Sequence, residues 1–201
     1  MESTAKELVL QKVKSCPLVR SCELERLGAS RTLVSRMVSE GLLERVGTGM
    51  YSFPGREISE HENLIEVSLR APKAVFCLLT ALSIHEVTTQ MPHEIWLGLE
   101  YGDKKPRFAY PPSRAVKFSS SSFLYGVEKR TLSGMEVRVY SLAKTIADCF
   151  KFRNKIGLEV ATEALKESWQ KRLVTVDALT EAAEVNRVRN VMRPYVEAVI
   201  S

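Results

Sequence analysis

The chain has 201 residues, of which 45% are hydrophobic and 26% charged, as in an ordinary globular protein with one large or two small cores. It contains no run of eighteen apolar residues, and its amino terminus is charged, so we expect a cytoplasmic protein without a membrane span or secretory signal. Its four cysteines lack the spacing of zinc sites and the density of a disulfide framework, so we expect no metal and no cofactor. The net charge of +5 suits a polyanionic partner without identifying one.

The first 55 residues have the pattern of a winged helix–turn–helix. Apolar spacing indicates a short helix over residues 5–13. A second helix is predicted from Ser21 to a glycine turn at Gly28, and a third over residues 30–40, closed by Gly41. Two apolar runs flank Gly47-Thr48-Gly49, as the strands of a hairpin would. A protein with this amino-terminal pattern most often binds DNA.

The remaining residues predict a larger α+β domain, which we place at 56–201. Helical patterns cover residues 61–70 and 75–85, and alternating patterns indicate strands near 95–99 and 116–118. Ser133-Gly134 separates two further strands of a hairpin, and the serine run 119–122 is interpreted as a loop. The last third is helical, with Ser141 as a cap and Pro194 in the first turn of the final helix. The sheet is therefore expected to be small and mainly antiparallel.

The third helix is the candidate for reading DNA. Its apolar stripe, which predicts a core-facing side, consists of Leu33, Val34, Met37 and Val38. Arginine can bond guanine bidentately in the major groove, and small hydroxyls can reach base edges or phosphates. The predicted contacts to double-stranded operator DNA are Ser30, Arg31, Thr32, Ser35 and Arg36 from the helix, and Arg45 and Thr48 from the wing. The same face would be merely solvated if the wing were a protein-interaction module.

Charge alone does not locate the nucleic-acid surface. The first 55 residues hold eight basic and six acidic residues, a net charge of +2, so we expect the larger domain to add basic contacts. Lys144, Asp148 and Lys151 share one side of a predicted helix, either as helix electrostatics or as part of a basic surface. The candidate basic surface comprises Lys104, Lys105, Arg107, Lys144, Lys151, Arg153 and Lys155.

An enzyme is the rival class of function. Metal-dependent nucleases bind their cation through carboxylates, and the nearest pattern is Asp103 followed far downstream by Glu136. This alternative is a nuclease targeted by its winged helix. Since the sequence has neither a glycine-rich phosphate loop nor a serine nucleophile elbow, we expect a protein without enzymatic activity.

The chain resembles the AbiEi-type antitoxins of type IV toxin–antitoxin systems, which are also described as transcriptional regulators of viral defence systems and abortive infection. This resemblance implies an amino-terminal winged helix that binds promoter inverted repeats and represses the operon. It also implies a carboxyl-terminal domain that neutralises a nucleotidyltransferase-like toxin without forming a stable complex with it. Leu142 departs from similar proteins, which often have proline there. The stretches that carry the resemblance are residues 49–55, 76–85, 88–92, 140–158 and 192–195, of which the run from Tyr140 is the most specific.

Overall fold

The computed structural model describes residues 2–57, 59–88, 90, 92–107 and 110–200. Two residues of the stretches that carry the resemblance, Thr89 and Met91, lie outside this described part. The chain divides into two compact units. The first comprises Met1–Arg70 and Thr131–Val137, and the second comprises Ala71–Arg130 and Arg138–Ser201. The first unit therefore extends beyond residue 55, where the sequence places the end of the winged helix.

In its described residues, the first unit contains four helices and a three-stranded antiparallel sheet of order β1-β3-β2. Their bounds are α1 Glu2–Ser15, β1 Val19–Arg20, α2 Ser21–Arg26, α3 Arg31–Ser39, β2 Glu44–Gly47, β3 Met50–Ser52 and α4 Glu62–Arg70. The three predicted amino-terminal helices and the hairpin after them are thus present, with bounds shifted by a few residues.

Local sequence explains how α2 and α3 follow each other so closely. Gly28 adopts a φ of +86°, which side chains disfavour, and this lets the chain turn directly after α2. Ser30 then caps α3, because its hydroxyl accepts a hydrogen bond from the Leu33 backbone N–H at 3.2 Å. Leu33 and Met37 are buried among residues of α1 and α2, so the apolar stripe fixes which face of α3 is turned outward.

The second unit is built on a five-stranded sheet of order β6-β5-β4-β8-β7. Helices α7 to α11 follow the last strand, β8, in the sequence. The tip of the β7–β8 hairpin is grouped with the first unit. The bounds are β4 Val75–Phe76, α5 Leu78–Ile84, β5 Ile95–Glu100, β6 Ser113–Phe118, α6 Ser120–Leu124, β7 Val127–Leu132, β8 Met135–Tyr140, α7 Leu142–Lys151, α8 Arg153–Ile156, α9 Leu158–Gln170, α10 Val176–Val185 and α11 Arg189–Ile200.

The α+β class and the helical carboxyl-terminal part are confirmed, and antiparallel pairing occurs in both sheets. The five-stranded sheet is nevertheless mixed, because β5 pairs with β6 and β4 with β8 in parallel, while β4 and β5 are antiparallel. The parallel β5–β6 pair depends on the connection over residues 101–112, which is long enough to return the chain to the start of the neighbouring strand.

Three local predictions require correction. Residues 75–85 are not one helix: Phe76 pairs with Leu97 in the sheet, and periodicity does not separate a short buried strand from a buried helix. The serine run is not a loop but mostly helix α6, which buries Phe123 in the core. Pro194 lies inside α11 instead of in its first turn, since the burial of Met192 extends the helix ahead of it.

Candidate nucleic-acid interface

The outer face of α3 carries the side chains that the sequence assigns to DNA. Arg31, Thr32, Ser35 and Arg36 are exposed, whereas Leu33, Val34 and Met37 on the opposite side are buried. The Arg31 side chain is 93% exposed, with its Nε 3.3 Å from Glu25 Oε1. The face therefore presents two guanidinium groups and two hydroxyls to solvent from a helix whose rotation is fixed by its core-facing side.

An ion pair modifies the charge at the end of α3. Glu40, whose carboxylate would repel a phosphate, accepts a hydrogen bond from Lys6 Nζ of α1 at 2.7 Å. This hydrogen bond is the main reason that the pKa of Glu40 lies below its usual value. The sequence did not reveal the pair, because Lys6 and Glu40 are separated by 34 positions and meet only through the packing of α1 against α3.

The hairpin after α3 exposes the two predicted wing residues. Arg45 and Thr48 are both exposed, and Arg45 Nε donates a long hydrogen bond of 3.4 Å to the Gly47 carbonyl. The β2–β3 register shifts between Arg45 and Gly47, which leaves Val46 unpaired in the bulge. At the tip, Gly49 has a φ of +67°, and its carbonyl accepts a hydrogen bond from the Ser21 N–H at 2.8 Å. This bond ties the tip to the start of α2.

The predicted basic surface of the second unit is only partly a surface. Lys104, Lys105, Arg107 and Lys155 are exposed, and Lys151 and Arg153 are half-buried. Arg153 donates a hydrogen bond to the Phe150 carbonyl at 2.9 Å, at the carboxyl end of α7. Lys144 must be removed from this set, because its side chain is 0% exposed. The sequence allowed Lys144 and Asp148, at i and i+4, to be either an electrostatic pair within the helix or part of a basic surface. The structure shows an internal ion pair within the helix.

Lys144 belongs to a polar network inside the second unit. Its Nζ donates to both carboxylate oxygens of Asp148, at 2.5 and 2.6 Å, and lies 4.4 Å from the ring centre of Phe118 and 4.3 Å from that of Tyr140. Asn186 Nδ2 donates to Asp148 at 2.8 Å. Burial lowers the pKa of Lys144 and raises that of Asp148, while their mutual attraction opposes both shifts.

Asn186 itself is held by Ser122, whose hydroxyl donates to its Oδ1 at 2.7 Å. Sequence reasoning did not find this partner set, since Ser122 and Asn186 are 64 positions apart and neither has a distinctive neighbourhood in the sequence. The network is sealed from solvent, so it is an internal structural feature of the second unit and is not in a position to bind a ligand.

The two carboxylates of the nuclease alternative belong to different compact units. Asp103 belongs to the second unit, and its backbone carbonyl accepts a hydrogen bond from Lys117 Nζ. Glu136 is exposed on β8 and is grouped with the first unit. Within residues 2–57, 59–88, 90, 92–107 and 110–200, no three His, Cys, Asp or Glu side chains gather as metal ligands would. Likewise, no described helix has both the length and the apolar composition that crossing a membrane requires.

Comparison with known proteins finds a family similarity in the amino-terminal part. The crystal structure of the RV2827C protein from Mycobacterium tuberculosis is similar, with 11% identity, a TM-score of 0.53, and coverage of 97% of this chain and 80% of that chain. At this identity the similarity shows the fold alone. No curated protein matches the chain. Residues 1–92 match the family model described as "Transcriptional regulator, AbiEi antitoxin N-terminal domain". The matched residues, slightly under half of the chain, are thus similar to the amino-terminal domain of AbiEi antitoxins, a domain of transcriptional regulators.

Proposed function

We propose that the protein is a non-enzymatic antitoxin of a type IV toxin–antitoxin system and represses its own operon by binding inverted repeats in the promoter. The observation that carries the proposal is the outer face of α3, where two arginines and two hydroxyls are exposed on a capped helix. That helix lies within a domain matched to transcriptional regulators. The proposed site is in the cytoplasm, where the operator DNA is accessible.

In this proposal residues 1–55 act as a winged helix–turn–helix, and α3 enters the major groove. Arg31 and Arg36 bond guanine edges, while Thr32 and Ser35 reach neighbouring bases or phosphates. The Ser30 hydroxyl is already occupied by the Leu33 N–H, so Ser30 acts as the cap that holds the first turn of α3. The remaining N–H groups of that turn are oriented for a backbone phosphate.

The wing supplies the contacts that set the orientation of the protein on the duplex. Arg45 and Thr48, exposed in the hairpin, lie against the adjacent phosphate backbone or minor groove. The hydrogen bond from Ser21 to Gly49 limits the movement of the wing relative to α2. Because a phosphate contact carries no sequence information, these two residues contribute affinity more than specificity.

Residues 56–201 carry the antitoxin activity in this proposal and counter a nucleotidyltransferase-like toxin without a stable complex. The test is co-expression with the product of an adjacent nucleotidyltransferase gene. Cells that express both genes should grow, and affinity purification of either protein should recover it alone. A stoichiometric complex stable through purification would contradict the mechanism and indicate neutralisation by direct binding.

Operator binding is tested by footprinting the DNA upstream of the gene with the full chain. A protected inverted repeat is expected, with an affinity that falls steeply as salt increases. Arg36→Ala should weaken specific binding by about 1–3 kcal/mol if Arg36 reads a guanine. Lys12→Ala is the matched control, because it removes the same charge from a different helix, α1. Equal affinities for Arg36→Ala and the parent would remove Arg36 from the recognition set.

A further inference from the structure

Two segments that are distant in sequence both contact Phe118, the last residue of the edge strand β6. Strand β6 is the outermost strand, and its last residue, Phe118, accepts a backbone hydrogen bond from the Tyr101 N–H at 2.9 Å. On the other side, Lys151 Nζ lies 5.8 Å from the centre of the Phe118 ring. The Phe118 ring packs edge-on against Phe152, which in turn lies 5.4 Å from Lys155 Nζ. The start of the 101–107 loop and the basic end of α7–α8 therefore share one end of β6.

The loop then carries positive charge from the end of β6 towards its start. Since β5 and β6 are parallel and in register, Tyr101 lies near the end of β6, whereas Ser113 begins it. Six strand residues separate these ends by roughly 20 Å. The three cations of the loop line an open cavity of about 860 Å³ together with Pro106 and Ser113, so its charge extends towards the start of β6; the cations are Lys104, Lys105 and Arg107.

The start of the loop is held in place by hydrogen bonds. Lys117 Nζ donates to the backbone carbonyls of Asp103 and, at 3.5 Å, of Glu100. The Asp103 N–H also bonds the Glu100 carbonyl at 3.2 Å, and Gly102 takes a φ of +96° in the turn between them. The adjacent carboxylate of Glu100 is engaged by the Ser120 hydroxyl. Asp103 is the one acidic residue between Tyr101 and Arg107, so this segment has a net positive charge.

Two tyrosines on the same connection are unusually exposed for aromatic residues. The exposed fraction is 70% for Tyr101 and 63% for Tyr110. Aromatic rings next to cations are the combination that binds single-stranded nucleic acid, because bases stack on the rings while lysine and arginine neutralise phosphates. In a duplex the bases are already stacked on each other, so exposed rings contribute little to binding it. The rings thus favour a single strand over operator DNA as the ligand of this edge.

We propose that the loop of residues 101–107 with Tyr110, here called the β6 track, binds single-stranded nucleic acid, with Lys151 and Lys155 adding positive charge near Phe118. The phosphates follow the cations along the edge, and Tyr101 stacks with a base near the Phe118 end. Lys117 is a positioning residue that fixes the loop. This activity lies in the second unit and is separate from operator recognition by α3.

The test uses the full chain and labelled oligonucleotides of about twelve nucleotides, which is within the range of single-strand sites. Fluorescence anisotropy measures binding to an oligouridine RNA, an oligothymidine DNA and an unrelated duplex of equal length, at several salt concentrations. The variants are Tyr101→Ala, Tyr101→Phe and Lys104→Ala/Lys105→Ala. Lys166→Ala, which removes an exposed charge from α9, is the control. Operator binding is measured on every variant in parallel.

Both single strands should bind more tightly than the duplex, and a preference between them identifies RNA or DNA as the ligand. Tyr101→Ala should weaken binding about ten- to a hundredfold without changing the salt slope, and Tyr101→Phe should bind like the parent. The double lysine variant should reduce the slope by about 1.4, from about 0.7 for each phosphate contact. Operator affinity should be unchanged in all variants.

The proposal is overturned if the single strands bind no better than the duplex, or if Tyr101→Ala binds like the parent. It is also overturned if Lys166→Ala weakens binding as much as the double lysine variant, since the attraction would then be non-specific. Loss of operator binding together with oligonucleotide binding would make the track part of a duplex interface. Operator binding that fails in the parent, with single-strand binding intact, would contradict only the proposed repressor function.

Discussion

Replacing Lys144 by methionine isolates the energetic role of the buried ion pair. The substitution retains a long unbranched side chain beside the rings of Phe118 and Tyr140. It removes the ammonium group, whose Nζ donates to the two carboxylate oxygens of Asp148 at 2.5 and 2.6 Å. Asp148 then keeps the hydrogen bond from Asn186 and no longer has its ion-pair partner. Because Asp148 is completely buried, water does not replace the lost ammonium group.

The expected loss of stability is about 3–5 kcal/mol at neutral pH, the usual consequence of leaving one charge of a buried pair alone. Asp148 can lower this loss by binding a proton. Its pKa is already raised by burial and rises further without Lys144, and a raised folded-state pKa contributes stability at low pH that is lost as pH increases. The difference between the parent and Lys144→Met should therefore be smaller at pH 5 than at pH 7.

The double variant Lys144→Met/Asp148→Leu tests whether the pair itself is stabilising. Apolar replacement of a buried ion pair often gains about 1–4 kcal/mol, but here Asn186 Nδ2 loses its acceptor, which costs about 1–3 kcal/mol. These terms largely cancel, so the double variant should lie within about 2 kcal/mol of the parent and be more stable than the single variant.

Urea unfolding followed by tryptophan fluorescence measures the differences in unfolding free energy in the second unit, which contains the ion pair. Both tryptophans, Trp96 and Trp169, belong to the second unit, so the signal does not report on α3 and its neighbours. A shift in midpoint at constant m-value gives the change in stability. Lys166→Met, on the exposed side of α9, should stay within about 0.5 kcal/mol of the parent. A Lys144→Met variant within about 1 kcal/mol of the parent at pH 7 would refute the reasoning.

The same fluorescence assay checks two further predictions. The second unit should lose stability as pH falls below about 6.5, because burial lowers the pKa of His85 and the unfolded chain therefore takes up the proton more readily. Arg130, whose guanidinium lies 3.5 Å from His85 Nδ1, lowers this pKa further. The variant His85→Gln should weaken the pH dependence. Gly126→Ala should cost about 1–3 kcal/mol more than Gly102→Ala, because both residues have positive φ but only the Cβ at 126 would meet other atoms, at 2.9 Å. Equal costs for the two alanines would contradict the steric argument.

Elements whose determinants are local could be predicted from the sequence. Ser30 and Ser141 are recognisable caps, and each accepts the expected backbone hydrogen bond at the start of its helix. The turn at Ser133-Gly134 likewise specifies the hairpin, with both residues at positive φ. The outward face of α3 follows directly from its apolar stripe, because a helix with one apolar side has one way to face a core.

Features that depend on distant partners were beyond sequence reasoning. A lysine and an aspartate four positions apart look the same on a solvated helix and on a buried one. Lys144 is buried because residues of other elements pack around the pair: Phe118 contacts Lys144, and Asn186 hydrogen-bonds Asp148. The short strand Val75–Phe76 presents the same difficulty, since its strand character comes from pairing with β5 and β8 and not from its own residues.

The placement of positive charge is more informative about binding than the net charge of +5. On the α3 face and the wing, Arg31, Arg36 and Arg45 are the basic residues proposed to contact DNA. If all three contact phosphates, they account for a salt slope of only about −2.7 per bound chain. A measured operator slope near this value would mean that the first unit is sufficient for the phosphate contacts and that the β6 track is available for another ligand. A much steeper slope would require further cations on the duplex, and operator binding by Lys104→Ala/Lys105→Ala would show whether the β6 track supplies any of them.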